Sequence, residues 1–304
     1  MKAMGTFGFL NYPQILAFDG GKIEPVREFE EACAYIDTYA NRDGFIYPPE
    51  VTTVQFNSFD NEEGEEIQNS KRPAAVFSLP ASHSLVIDNP MHGEDAALIV
   101  HLLGFFFGVR LQLSELRFDG KVPVKPMNNF SYQADVPADF ISHVYREWKT
   151  WDKDLRTRFI NILYMHGKAK SCEFDWDQFI YEYMVFDTIY KFHASRGGAK
   201  AACHKDRFNI LCDAFLIPKH TDEIDRIYKQ RNELFHEALW FGNTPGMGGN
   251  GLLEVMWLRK LNARLIVAMT GYENEFPRSR WNTMGWDSFD KCQSSSKSSV
   301  HGDL

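Results

Sequence analysis

The sequence predicts an α+β protein, with a mixed N-terminal domain of helix and short β-runs over 1–136 followed by an all-α bundle over 137–275. Three observations predict it. From Pro137 onward apolar residues recur at helical spacing in long segments, with no alternating β-type run among them. Before that point short runs rich in Val, Phe and Ile accompany one amphipathic and one wholly apolar helix. Between the two lies Asp119 to Pro137, interrupted by Pro123 and Pro126, a composition suited to a connection between domains.

The elements follow in order. Val26, Phe29, Cys33, Ile36 and Tyr39 predict a helix over Pro25 to Ala40. Val51 to Phe56, Ala74 to Leu79 and Ser84 to Ile87 read as strands. The acidic segment Asp60 to Glu66 lacks the alternating ligands of a calcium loop and reads as a solvated loop. Glu94 to Arg110 is apolar nearly all round, which predicts a buried helix. Six helices are expected next: Ala138–Trp151, Lys153–His166, Trp176–Ser195, Cys203–Leu216, Asp222–Phe241 and Leu252–Thr270. Asp175 and Thr221 are candidate N-caps, and Gly167, Gly197 and Gly271 candidate stops. Residues 276–304 form a C-terminal extension whose Ser-rich end, Gln293 to Leu304, is expected to be disordered.

Composition narrows the function classes. Hydrophobic residues make up 44% and charged residues 24% of the 304, enough apolar material for a core of normal size. Five scattered cysteines form no C-x-x-C pair, so neither a disulfide framework nor a zinc site is indicated. The apolar run Ala96 to Val109 falls short of the roughly 20 residues of a membrane helix. Met1 to Gly5 leads into no signal-peptide core. A cytoplasmic protein with no membrane partner is the expectation. The net charge of −8 is uneven: residues 1–136 hold 10 basic and 19 acidic side chains, whereas residues 137–275 hold 19 of each. Broad phosphate binding needs massed Lys and Arg. Any RNA contact is therefore local and belongs to the C-terminal half.

The informative segment is Thr221 to Glu237, which contains Arg231-Asn232-Glu233-Leu234-Phe235-His236. On a helix at about 100° per residue, Ile224, Ile227, Leu234, Phe235 and Ala238 form a buried stripe. Asn232 and His236, four apart, share one edge of it. The long side chain of Arg231 can reach the same patch. A cation, an amide and an imidazole together suit metal-free RNA cleavage. His236 can transfer a proton near neutral pH. Arg231 can hold the phosphate and offset the charge of a phosphorane. Asn232 can orient the imidazole or the scissile phosphate. An exposed helix arginine and a satisfied histidine are the plainer reading of the same two residue types.

The segment resembles the HEPN superfamily, whose signature is Arg, a polar residue, three more residues, then His. The upstream helix Phe179 to Tyr190, with Asp187 among aromatics as an acidic support of the core, looks like the first core helix of the Apea-like branch. Arg207-Phe208-Asn209-Ile210-Leu211, the lead-in Ile227-Tyr228-Lys229-Gln230 and the helix Leu252–Thr270 fit the same pattern. The resemblance covers roughly 138–275 and says nothing of 1–136. It implies a HEPN-type bundle that homodimerises, with motif helices facing across the interface to build an RNA site. It implies an endoribonuclease with no metal or other cofactor, leaving a 2′,3′-cyclic phosphate and a 5′-OH, in antiphage defence or a toxin-like role. The alternative is a non-catalytic HEPN scaffold for protein or nucleotide binding. Some HEPN toxins are modified on a tyrosine two residues after the histidine; Ala238 stands there, so that regulation is not expected. The N-terminal domain would then bind a trigger, serve as inhibitor or select substrate.

Other signals carry less. Lys205, Arg207, Arg226 and Lys229, with Lys200, flank the motif and are candidate phosphate contacts, or equally a solvated helix surface. Gly246 to Gly251 matches G-x-G-x-x-G but follows a helix, where a dinucleotide loop should follow a strand. Glu147-Trp148-Lys149 with Asp139 mimics a metal-dependent nuclease motif, yet lies in a helical segment. Cys203, His204, Cys212 and His193 match no metal spacing, and His83, His92 and His101 have no chemical partner in sequence.

Overall fold

The computed structural model describes residues 2–54, 69–126, 130–248 and 251–290. The acidic segment Asp60 to Glu66 and the Ser-rich end lie outside them. In chain order the first elements are β1 (Lys2–Gly8), β2 (Leu16–Phe18), β3 (Gly21–Pro25), α1 (Phe29–Tyr39), β4 (Phe45–Ile46), β5 (Glu50–Val54) and β6 (Asn69–Pro73). Then follow β7 (His83–Asp88), α2 (Asp95–Phe107), β8 (Gln112–Leu113), β9 (Val122–Pro123) and β10 (Phe130–Ser131). The second half holds α3 (Val136–Thr150), α4 (Lys153–Ala169), α5 (Asp175–Ser195), α6 (His204–Phe215), α7 (Thr221–Glu237), α8 (Leu252–Met269), a 3₁₀ turn at Phe276–Arg278 and β11 (Asp287–Ser288). The protein is α+β.

Five strands form one antiparallel sheet in the order β2-β3-β7-β1-β8. A two-residue turn, Asp19-Gly20, closes the β2–β3 hairpin, and Gly20 takes a φ of +94° that a side chain would resist. β1 has no local partner; it pairs with β7, Lys2 opposite Asp88 through Phe7 opposite His83. Phe7, Leu16, Ile23, Leu85 and Ile87 are buried on this sheet and pack in one apolar cluster with α2. Around α2, Leu98, Ile99, Leu102, Leu103 and Phe106 are all sealed from solvent. The helix stops at Gly108, whose φ of +70° lets its N–H return to the last turn.

The same cluster continues into the bundle through Phe140, Val144, Leu163, Phe186, Ile227 and Leu265. The boundary expected at 136/137 falls at the start of α3, and the core crosses it without a break. A smaller cluster of Phe9, Ile36, Phe77, Phe118 and Val122 lies under α1. Ile227 is fully buried in the main cluster, so Ile227→Val is expected to lower stability by about 1 kcal/mol in denaturant unfolding. No change in midpoint would mean the site is not packed as described.

Several elements differ from expectation. Ala74 to Leu79 is not a strand: Pro73 and Pro80 bracket it, and only Phe77 bridges, to Phe118. Asp175 and Thr221 are first helical residues rather than caps; Phe174 and His220 hold the cap positions without a side-chain bond. Gly167 sits inside α4, which runs on to Ala169. β11 supplies a strand where none was expected, pairing in parallel with β10. Within the expected C-terminal extension, residues 276–290 pack against the rest of the chain, with Phe276, Trp281 and Phe289 buried. Arg264 of α8, wholly buried, ties them down: it donates to both Ser279 oxygens, to Arg280 O at 2.7 Å and to Asp287 Oδ1 at 3.0 Å.

Candidate active site

The site is built on α7, whose acidic first turn carries Asp222 and Glu223 against the helix dipole. Ile224, Ile227 and Gln230 are its buried residues, and Leu234 packs partly against the core. The stripe expected from periodicity breaks off early. Phe235 remains 45% exposed, and Ala238 is not helical but a left-handed cap with φ of 55°, because α7 ends at Glu237 rather than Phe241. Beyond the cap the chain folds back to bury Trp240, whose ring meets Phe179 of α5 at 5.6 Å. A Cβ on Gly251 would come within 2.0 Å of the Trp240 ring, so this glycine serves close packing at the start of α8. That anchor fixes where α7 stops and hence where His236 points.

Arg231 sits at the edge of the buried stripe, half-buried, with its guanidinium over the rings of Tyr183 and Phe235 at 5.8 and 5.4 Å. Its Nη1 donates to Asn232 Oδ1 at 3.0 Å and to His236 Nε2 at 2.8 Å. The three residues of the sequence motif are thus joined through one guanidinium. His236 is exposed, and Asn232 half-buried.

Two residues outside the motif complete the cluster. Arg231 Nη2 reaches His204 Nε2 at 3.4 Å. His204, at the first turn of α6, places its Nδ1 at 3.4 Å from the Tyr183 hydroxyl and 3.6 Å from Asp187 Oδ1. Arginine has donors only, so the Nε2 of a ring that meets it acts as the acceptor. Burial holds the His204 pKa below its ordinary 6.5; Asp187 opposes this, while Arg207, Arg231 and His236 add to it. Asp187, expected as an acidic support of the core, is half-buried at the rim, where it accepts from Arg207 Nη1 at 2.7 Å.

The expected phosphate contacts do not form one free row. Lys205 pairs with Asp225 at 2.7 Å, and Arg207 with Asp187 as above. Arg226 pairs with the buried Glu254 and lies over Trp257. Lys229 lies 3.7 Å from Glu233. Arg226 and Lys229 line a separate cavity of about 380 Å³ with Gln230, Phe241 and Glu254. Of the four, Arg207 is the one joined to the histidine cluster.

His204 was not legible as part of the site, because it lies 27 residues from Arg231 on another helix. Tyr183 had a local signal: it precedes Asp187 by four residues on α5 and so shares its face. Among the described residues no group of three His, Cys, Asp or Glu is placed to hold a metal ion. Among them, too, no helix is long and apolar enough to cross a membrane. Compared with family models, with curated proteins and with solved structures, the chain matches none.

Proposed function

We propose that the chain is a HEPN-type, metal-independent endoribonuclease. What carries the reading is the guanidinium of Arg231, held at hydrogen-bond distance from Asn232 and from an exposed His236. A scissile phosphate can take the place of these partners, since the fork of Nη donors matches two phosphate oxygens. The ribose 2′-OH then attacks phosphorus, Arg231 offsets the charge of the phosphorane, and His236 moves a proton. Asn232 keeps Arg231 aimed. The products are a 2′,3′-cyclic phosphate and a 5′-OH.

On this reading the bundle pairs with a second copy, and the exposed ring of Phe235 beside Arg231 suits such a contact. The N-terminal part binds a trigger or inhibitor, because an unrestrained ribonuclease would damage its own cytoplasm. Defence against phage, or a toxin-like role, is the setting in which such restraint is useful.

Labelled total RNA and tRNA incubated with the protein in EDTA test the proposal. The expected result is cutting that leaves cyclic phosphate and is lost in His236→Ala. Cutting that persists in His236→Ala sinks the site, and an inert wild type favours the scaffold reading.

A further inference from the structure

We propose that His204 is the general base of this site, removing the 2′-OH proton while His236 acts as the acid; the inference rests on the ribonuclease reading above. Metal-free cleavage needs two proton transfers, one from the attacking 2′-oxygen and one to the departing 5′-oxygen. α7 carries one imidazole at its end, and the fold adds a second from α6. Arg231 touches both, Nη1 on His236 Nε2 at 2.8 Å and Nη2 on His204 Nε2 at 3.4 Å. A phosphate that engages this fork therefore has an imidazole near each of its two Nη contacts, one available for each proton transfer.

The assignment of roles follows from what faces each ring. His204 meets Tyr183 and Asp187 from α5, Arg207 on its own helix, and Arg231 and His236 from α7. The Tyr183 hydroxyl lies 3.4 Å and the Asp187 carboxylate 3.6 Å from Nδ1, surroundings that favour the proton there and leave the Nε2 lone pair toward Arg231. Burial and the two arginines keep the ring neutral, as a base must be. His236 is exposed and has solvent from which to regain a proton. In the step, His204 Nε2 takes the 2′-OH proton, the O2′–P bond forms and the P–O5′ bond breaks. Phosphate takes the place of His236 on Arg231. The electron pair leaves on O5′, which takes a proton from the imidazolium form of His236. His204 ends protonated and His236 neutral. One proton enters the protein and one departs, and exchange with water restores both rings.

The test compares wild type, His204→Gln and His236→Ala on RNA with an ordinary 5′-oxygen and with a bridging 5′-sulfur, whose thiolate leaves without protonation. Glutamine keeps an oxygen that can accept from Arg231, so the arginine stays aimed while proton transfer is lost. Expected are kcat losses of about 10²- to 10⁴-fold in both variants on the oxygen substrate, with KM nearly unchanged. The sulfur substrate should restore His236→Ala and leave His204→Gln slow. The acidic limb of the wild-type pH profile should fall below 6.5, in keeping with the lowered pKa of His204, and disappear in His204→Gln. Wild-type kcat in His204→Gln, with His236→Ala inert, overturns this inference and leaves the ribonuclease reading intact. Rescue of His204→Gln by sulfur also overturns it, as does a loss confined to KM. A wild type that cuts neither substrate overturns both. If His204→Gln does not fold, His204→Asn serves in its place with the same outcomes.

Discussion

Alanine at Arg231 is expected to reduce RNA cleavage by about 10³-fold while the melting temperature moves by only a few degrees. The size follows from position. This guanidinium is the group shared by Asn232, His236 and His204, and its Nε is buried without a partner. On the proposed reading its removal deletes phosphate binding and at the same time frees both imidazoles from their common anchor. Folding suffers less, because the side chain is half-buried and mainly covers the Tyr183 and Phe235 rings. Arg231→Lys should recover little: an ammonium keeps the charge but cannot span two acceptors in one plane. Steady-state kinetics on a single-site RNA checks both variants. Activity of Arg231→Ala within tenfold of wild type would show that the phosphate is held elsewhere.

The largest effect on stability is expected at Arg264. Arg264→Ala should cost about 3–5 kcal/mol, a fall in melting temperature on the order of 10 °C. The arginine is fully buried and bonds at once to Ser279, Arg280, Asp287 and Lys260 O. Asp287 is itself mostly covered, and Lys260 Nζ lies 3.6 Å from its other oxygen. Alanine leaves several acceptors buried without donors, each costing about 1–3 kcal/mol. Calorimetry with limited proteolysis checks the result, since 276–290 should become the first segment cut. A melting temperature within about 2 °C of wild type would mean that water replaces the guanidinium at little cost.

The long helices were legible because each buries a continuous apolar face, and α3 to α8 lie within a few residues of the expected ranges. The sheet was largely hidden. β1, β2 and β3 gave no local signal, since β1 holds two glycines, β2 spans only Leu16–Phe18, and the pairing of β1 with β7 is specified by residues some 80 positions away. Ala74 to Leu79 has strand-like composition without a neighbouring strand to complete its ladder. At the site, the contiguous Arg231, Asn232 and His236 could be placed on one patch from helical geometry. The exposure of Phe235 could not, because it depends on where α7 ends, and that is fixed by Trp240 seating against Phe179. His204 enters through the packing of α6 on α5 and α7, a matter of tertiary arrangement that spacing along the chain does not encode.

The unbroken core around α2 bears on how the molecule can be controlled. A module that regulates by detaching must have its own interior, so that leaving costs little. Here the sheet and the bundle are two sides of one wall, and separating them would expose Phe106, Leu103 and their neighbours to water. If the sheet receives a signal, as proposed, it would have to arrive as strain: a small shift of α2, passed through α4, which packs on both α2 and α5, to Tyr183 and Asp187. Control of that kind would be graded and readily reversible, and it would leave the chain intact.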